Sequence, residues 1–138
     1  MELTMEIVQD IPLSRFADLL VSAFEGGSNY WYNIESFKKP EKFTELCGHE
    51  TAEEAAMYRH MSYAVNPGGA IVVSDRVGCE EGDTVTKAEL NLSVIRVGAI
   101  LMAKQYPLHW ANFVSGNDDA ETGDVFLQCC VFGKIIYG

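Results

Sequence analysis

Cations, histidines and paired cysteines are scarce in this chain. Ten Lys and Arg stand against twenty Asp and Glu, a net charge of −10. Such a chain is repelled by nucleic-acid phosphates and by anionic membranes. Direct nucleic-acid binding is therefore not expected. The histidines His49, His60 and His109 are scattered, with none of the spacings a zinc site uses. The cysteines Cys47, Cys79, Cys129 and Cys130 form no C-x-x-C pair. The first residues carry Glu2 and Glu6 instead of a basic region, so no secretory leader is expected. Reduced thiols in a cytoplasmic protein follow. No apolar run reaches the ~18 residues of a membrane span. The G-x-S-x-G nucleophile elbow is missing, and Gly26-Gly27 follows a helical pattern where a phosphate loop would precede one. No structural metal, cofactor, disulfide or hydrolase activity is expected. A site assembled from distant residues would leave no local motif, which keeps an enzyme open as the alternative.

What is present suits one globular domain: 138 residues, 48% of them hydrophobic, enough for a core. Residues 2–9 alternate Leu3, Met5 and Ile7 with Glu2, Thr4 and Glu6, the period of a strand. Pro12 opens a helix that places Leu13, Phe16, Leu20 and Phe24 on one face, runs to about Glu25 and stops at Gly26-Gly27. Tyr30–Ile34 reads as a second strand, and residues 38–56 as a loop with a short helix. Met57–Val65 and Ala70–Val73 flank Asn66-Pro67-Gly68-Gly69, a type II turn sequence, and predict a hairpin. Asp75 to Asp83 is a polar connection. Thr86 and Glu89 have capping-box spacing before a long helix to about Gln105, with one apolar stripe through Leu90, Val94, Val97 and Leu101 and another through Ile95, Gly98 and Met102. Two stripes predict a helix covered on both sides, the most buried of the fold. A short helix over Leu108–Val114 and a break at Ser115-Gly116-Asn117 follow. A final helix is capped by Asp118 with Glu121 and ends at Gly133. Lys134–Tyr137 reads as a last short strand. The expected fold is α+β, a small, mainly antiparallel sheet with helices on one face and a helical C-terminal half.

Two constellations are candidates for function. The acidic cluster Asp118, Asp119, Glu121 and Asp124 has the residue types that hold magnesium, and it would serve a small metal-dependent hydrolase. The same residues are those a helix N-terminus favours, so capping is the simpler reading. The second constellation is an elbow, Ser28, Asn29, Tyr30, Trp31 and Tyr32, joined by Tyr63. Its rings could stack a nucleotide base at about 1–3 kcal/mol, or fill a core. Arg59, Arg76 and Arg96 are the arginines available for the phosphates of such a nucleotide.

The segment Glu25-Gly26-Gly27-Ser28-Asn29-Tyr30-Trp31-Tyr32 resembles a hallmark of small proteins encoded by phages and prophages. Asn66-Pro67-Gly68-Gly69-Ala70 resembles the same group. So does the run from Asp118-Asp119-Ala120-Glu121-Thr122-Gly123-Asp124-Val125-Phe126-Leu127-Gln128 to Gly133 and Tyr137-Gly138. Residues 38–56 carry none of it. The resemblance implies origin: an accessory protein acting by binding, against a component of host defence. The net charge then points to a basic, nucleic-acid-handling host protein as partner. The elbow points instead to sequestration of a small nucleotide signal, within a homo-oligomer.

Overall fold

A computed structural model describes residues 1–3, 9–42, 59–77 and 86–138 of the chain. The predicted strand at 2–9 lies largely outside those residues, as do most of the 38–56 segment and of the Asp75–Asp83 connection. The elements are α1 (Leu13–Ser22), a π-helical turn (Ala23–Gly27), β1 (Tyr32–Lys38), a 3-10 helix (Arg59–Val65), β2 (Ala70–Asp75), β3 (Lys87–Leu90), α2 (Leu92–Gln105), α3 (Pro107–Ser115) and α4 (Ala120–Phe132). The strands form one antiparallel sheet in the order β1-β2-β3. The fold is α+β, as the residue pattern predicts.

Burial explains the sheet. Ile71, Val73 and Leu90 are fully buried in the core beneath the helices, while Glu89 stays exposed. Ile71 pairs with Leu90 and Val73 with Ala88, so the apolar positions of β2 and β3 share a face. A bulge in β1 falls between Ile34 and Ser36. The extra residue, Glu35, accepts a hydrogen bond from Ser74 Oγ at 2.5 Å.

Several of these expectations are corrected by the structure. The hairpin does not form, because Arg59–Val65 coils into a 3-10 helix and Ala70 pairs with Lys38. Four consecutive residues, Ser62–Val65, are buried there, a pattern no half-exposed strand has. Asn66 closes that helix through Nδ2 on the Ser62 carbonyl at 2.7 Å. The turn itself is as predicted: Gly69 N donates to Asn66 O at 3.1 Å, with Gly68 at φ 82°. Thr86 and Glu89 do not cap α2, since Lys87–Leu90 is a strand. The cap is Asn91, whose side chain accepts from Val94 N at 3.0 Å.

Among the described residues the most buried helix is α4 rather than α2. Thr122 through Cys129 are all buried, whereas α2 buries only Ile95, Gly98, Ala99 and Met102 and leaves Val97 exposed. Helix α4 is sandwiched. A Cβ on Gly123 would lie 2.8 Å from Ala23 N in α1's extension, and one on Gly98 of α2 would collide with Cys130 Sγ. Small residues thus let both neighbours approach closely. The last predicted strand is no strand. Lys134–Tyr137 is instead held by a side chain described below.

Candidate functional site

The elbow and the acidic cluster, ninety residues apart in sequence, meet at one carboxylate. The π-helical turn brings Gly27 against the first turn of α4, where a Cβ would run into the Ala120 carbonyl. Only glycine allows this approach. The chain then turns through residues 28–31, with Trp31 N donating to Ser28 O at 3.0 Å. Three donors consequently converge on Asp124. Ser28 Oγ and Trp31 Nε1 donate to its Oδ1 at 2.7 and 2.8 Å, and Tyr30 OH donates to Oδ2 at 2.7 Å. Ser28 and Trp31 are fully buried and Asp124 is 8% exposed. A carboxylate is retained there because its oxygens are satisfied by donors held in place.

The remaining predicted residues divide. Tyr30 is 46% exposed and Asn29 is exposed; they are the elbow's solvent face. Tyr32 packs on Phe24 and donates to its carbonyl at 2.6 Å. Tyr63 lies apart from the elbow, buried in the 3-10 helix against Phe37 and His60. Arg76 is the arginine that reaches the elbow, through the Asn29 carbonyl at 2.5 Å. Arg59 opens the 3-10 helix, and Arg96 lies on α2.

The acidic cluster disperses in the same way. Asp118 does not cap α4; it pairs with Arg15 at 3.4 Å. That guanidinium also donates to the Phe113 carbonyl and lies 4.7 Å from the centre of its ring. The cap is Asp119, whose Oδ1 accepts from Thr122 N at 3.0 Å while Thr122 Oγ1 accepts from Asp119 N. Glu121 is exposed, and Asp124 faces the elbow. Among the described residues no group of three His, Cys, Asp or Glu could hold a metal ion.

Residues that sequence reasoning missed complete the arrangement. Gln128, fully buried one turn beyond Asp124, clamps the C-terminal segment. Its Oε1 accepts from Ile136 N and Tyr137 N, both at 2.8 Å, and its Nε2 donates to Tyr137 O at 2.9 Å. Tyr137 packs on Trp31 and donates its hydroxyl to Asp75 Oδ2 at 2.6 Å. The signal was present: a lone glutamine inside an otherwise apolar helical stretch needs an internal partner.

Electrostatics follow from these contacts. Burial, then the hydrogen bond to Asp124 and its charge, push the Tyr30 hydroxyl up to about 12. Burial raises Tyr32, with the Glu25 charge adding to it. The Thr122 amide holds the Asp119 carboxyl below its ordinary value. Burial pushes the Cys129 thiol up to about 11 and Cys130 well above its usual range, so neither is a ready nucleophile. The groups at the joint are positioned to hold structure. What they leave facing solvent is Asp18, Glu25, Asp119 and Glu121, exposed carboxylates distributed over α1, its π-helical extension and the start of α4. No family model, curated protein or solved structure matches the chain.

Proposed function

We propose that this protein acts by binding: a phage-type accessory protein whose acidic face occupies the basic, nucleic-acid-handling surface of a host defence protein. The observation that carries the reading is the set of exposed carboxylates on the elements that meet at the α1–α4 joint. Glu25, Asp119 and Glu121 are exposed on the π-helical turn and the start of α4, the two segments that meet there, and Arg15 is engaged by Asp118. Pre-ordered charge costs little further entropy on docking, and complementary charge raises the association rate. The net charge of −10 adds a long-range attraction to any basic surface. The resemblance of the elbow and of the α4 segment to phage-encoded proteins supplies the biological setting.

Capture of a nucleotide by the elbow has weaker support, because its best ring, Trp31, is buried and its donors are already used. The test is a pull-down from host lysate at two salt concentrations, with a Glu25→Lys/Glu121→Lys variant beside the native protein. The expected result is a basic partner retained at low salt, released at high salt, and lost by the variant at unchanged melting temperature. Equal capture by the variant would sink the acidic-face reading. So would the absence of any partner together with fully active host defence on expression.

A further inference from the structure

We propose that a groove between α1, α2 and α3 binds a free linear aliphatic molecule ending in a carboxylate. The inference is independent of the acidic face. The groove has a volume of about 510 Å³, within the ~300–1,000 Å³ usual for small-molecule sites. Its floor runs along one stripe of α2, through Leu92, Ile95, Ala99 and Ala103. At the helical rise this stripe is about 16 Å long. The two alanines keep the floor low, and Leu13 and Phe16 of α1 stand on one wall with Trp110 of α3 among the lining residues.

An apolar lining of this size normally belongs in a core, yet Leu13 and Ile100 are 41% and 42% exposed here. Its polar groups are few. The Trp110 indole N–H is occupied by Gln9 Oε1 at 3.2 Å, which leaves the ring to the groove as an apolar surface. Among the described residues Arg96 is the one charged residue of the lining, and no carboxylate of theirs pairs with it. A cation on the rim of an apolar groove, in a chain of net charge −10, selects an anionic head and an apolar tail. The elongated aliphatic floor favours a chain over a compact ring system.

The probe is dodecanoate, titrated below its micellar range into the full chain and followed by tryptophan fluorescence. The chain has two tryptophans, and Trp31 is fully buried, so Trp110 is the reporter; Trp110→Phe should silence the signal. Saturable binding is expected, weakened about tenfold or more by Ala103→Leu, which displaces roughly two methylenes of ligand from the groove. Ile100→Asp, at an exposed position, should weaken it without disturbing the fold. Arg96→Gln should remove the preference for dodecanoate over dodecanol. Four results overturn the proposal: no saturable response, an equal response to dodecyltrimethylammonium, indifference to Ala103→Leu, or binding to phosphatidylglycerol vesicles without binding to monomeric dodecanoate. Conversion of a dimer to monomer by dodecanoate in sedimentation would also overturn it, by assigning the groove to a second copy of the chain.

Discussion

Replacing Asp124 with alanine should be among the most damaging single changes this fold can undergo. The change removes the acceptor for three hydrogen bonds. Tyr30 is half exposed and can turn to water, so its loss is small. Ser28 Oγ and Trp31 Nε1 are fully buried and would be left without an acceptor. Each orphaned buried donor costs about 1–3 kcal/mol, so the pair costs about 2–6 kcal/mol. That is a large share of the ~5–15 kcal/mol that holds a domain together. Asp124→Asn keeps an oxygen for the two buried donors, loses the charge and the acceptor for the half-exposed Tyr30 hydroxyl, and should cost about 1–2 kcal/mol. Urea unfolding followed by far-UV circular dichroism measures both. A double-mutant cycle with Trp31→Phe isolates the cause: in the Asp124→Ala background the tryptophan has already lost its partner, so the second change should add far less than it costs alone. A loss below about 1 kcal/mol for Asp124→Ala, or strict additivity in the cycle, would show that these hydrogen bonds do not hold the elbow.

Three further outcomes are expected. The part of the stability that Tyr30 supplies should be constant up to about pH 10 and be lost towards pH 12, because its raised pKa favours the folded state only while the hydroxyl stays protonated; it adds to a decline that the buried thiols Cys129 and Cys130, raised from about 9, begin earlier, and melting curves of Tyr30→Phe should lose only the Tyr30 part. Asp119→Ala should cost about 1 kcal/mol by removing the α4 cap, and because the folded-state carboxyl is depressed, the difference from the native protein should be full at neutral pH and fade as acid protonates it, as acid titrations of the two would record. Gly27→Ala and Gly123→Ala should each destabilise strongly in thermal melts, since their Cβ atoms meet backbone of the facing element, whereas Gly116→Ala, in open space at positive φ, should cost only about 1 kcal/mol.

The helices were legible because their signals are local. Pro12, the Gly116 break and the Gly133 stop stand where the chain places them, and of the predicted stripe of α1 Phe16, Leu20 and Phe24 are buried while Leu13, at the helix start, is exposed. Errors arose where a local signal had a rival. Thr86 and Glu89 fit a capping box, yet Lys87-Ala88-Glu89-Leu90 also alternates as a strand, and pairing with β2 decides for the strand. Asp118 and Asp119 are adjacent capping residues, and Arg15, a hundred residues upstream, draws Asp118 away. The elbow and the acidic cluster were each visible as unusual. Their union was not, since nothing in either segment encodes the α1–α4 crossing that makes them neighbours.

The distance spanned by that union bears on how the chain acquires its shape. Asp124 bonds partners 93 to 96 positions earlier, and Tyr137 reaches Asp75 across 62. During synthesis, Trp31 and Ser28 emerge long before the helix that satisfies them. The first half of the protein therefore waits with a large ring and two donors unmatched until α4 has left the ribosome. Contacts over such separations must close a long loop before they return any energy, so they form late. Hydrogen exchange during refolding should find the Trp31 indole and the amides of the elbow among the last groups to gain protection.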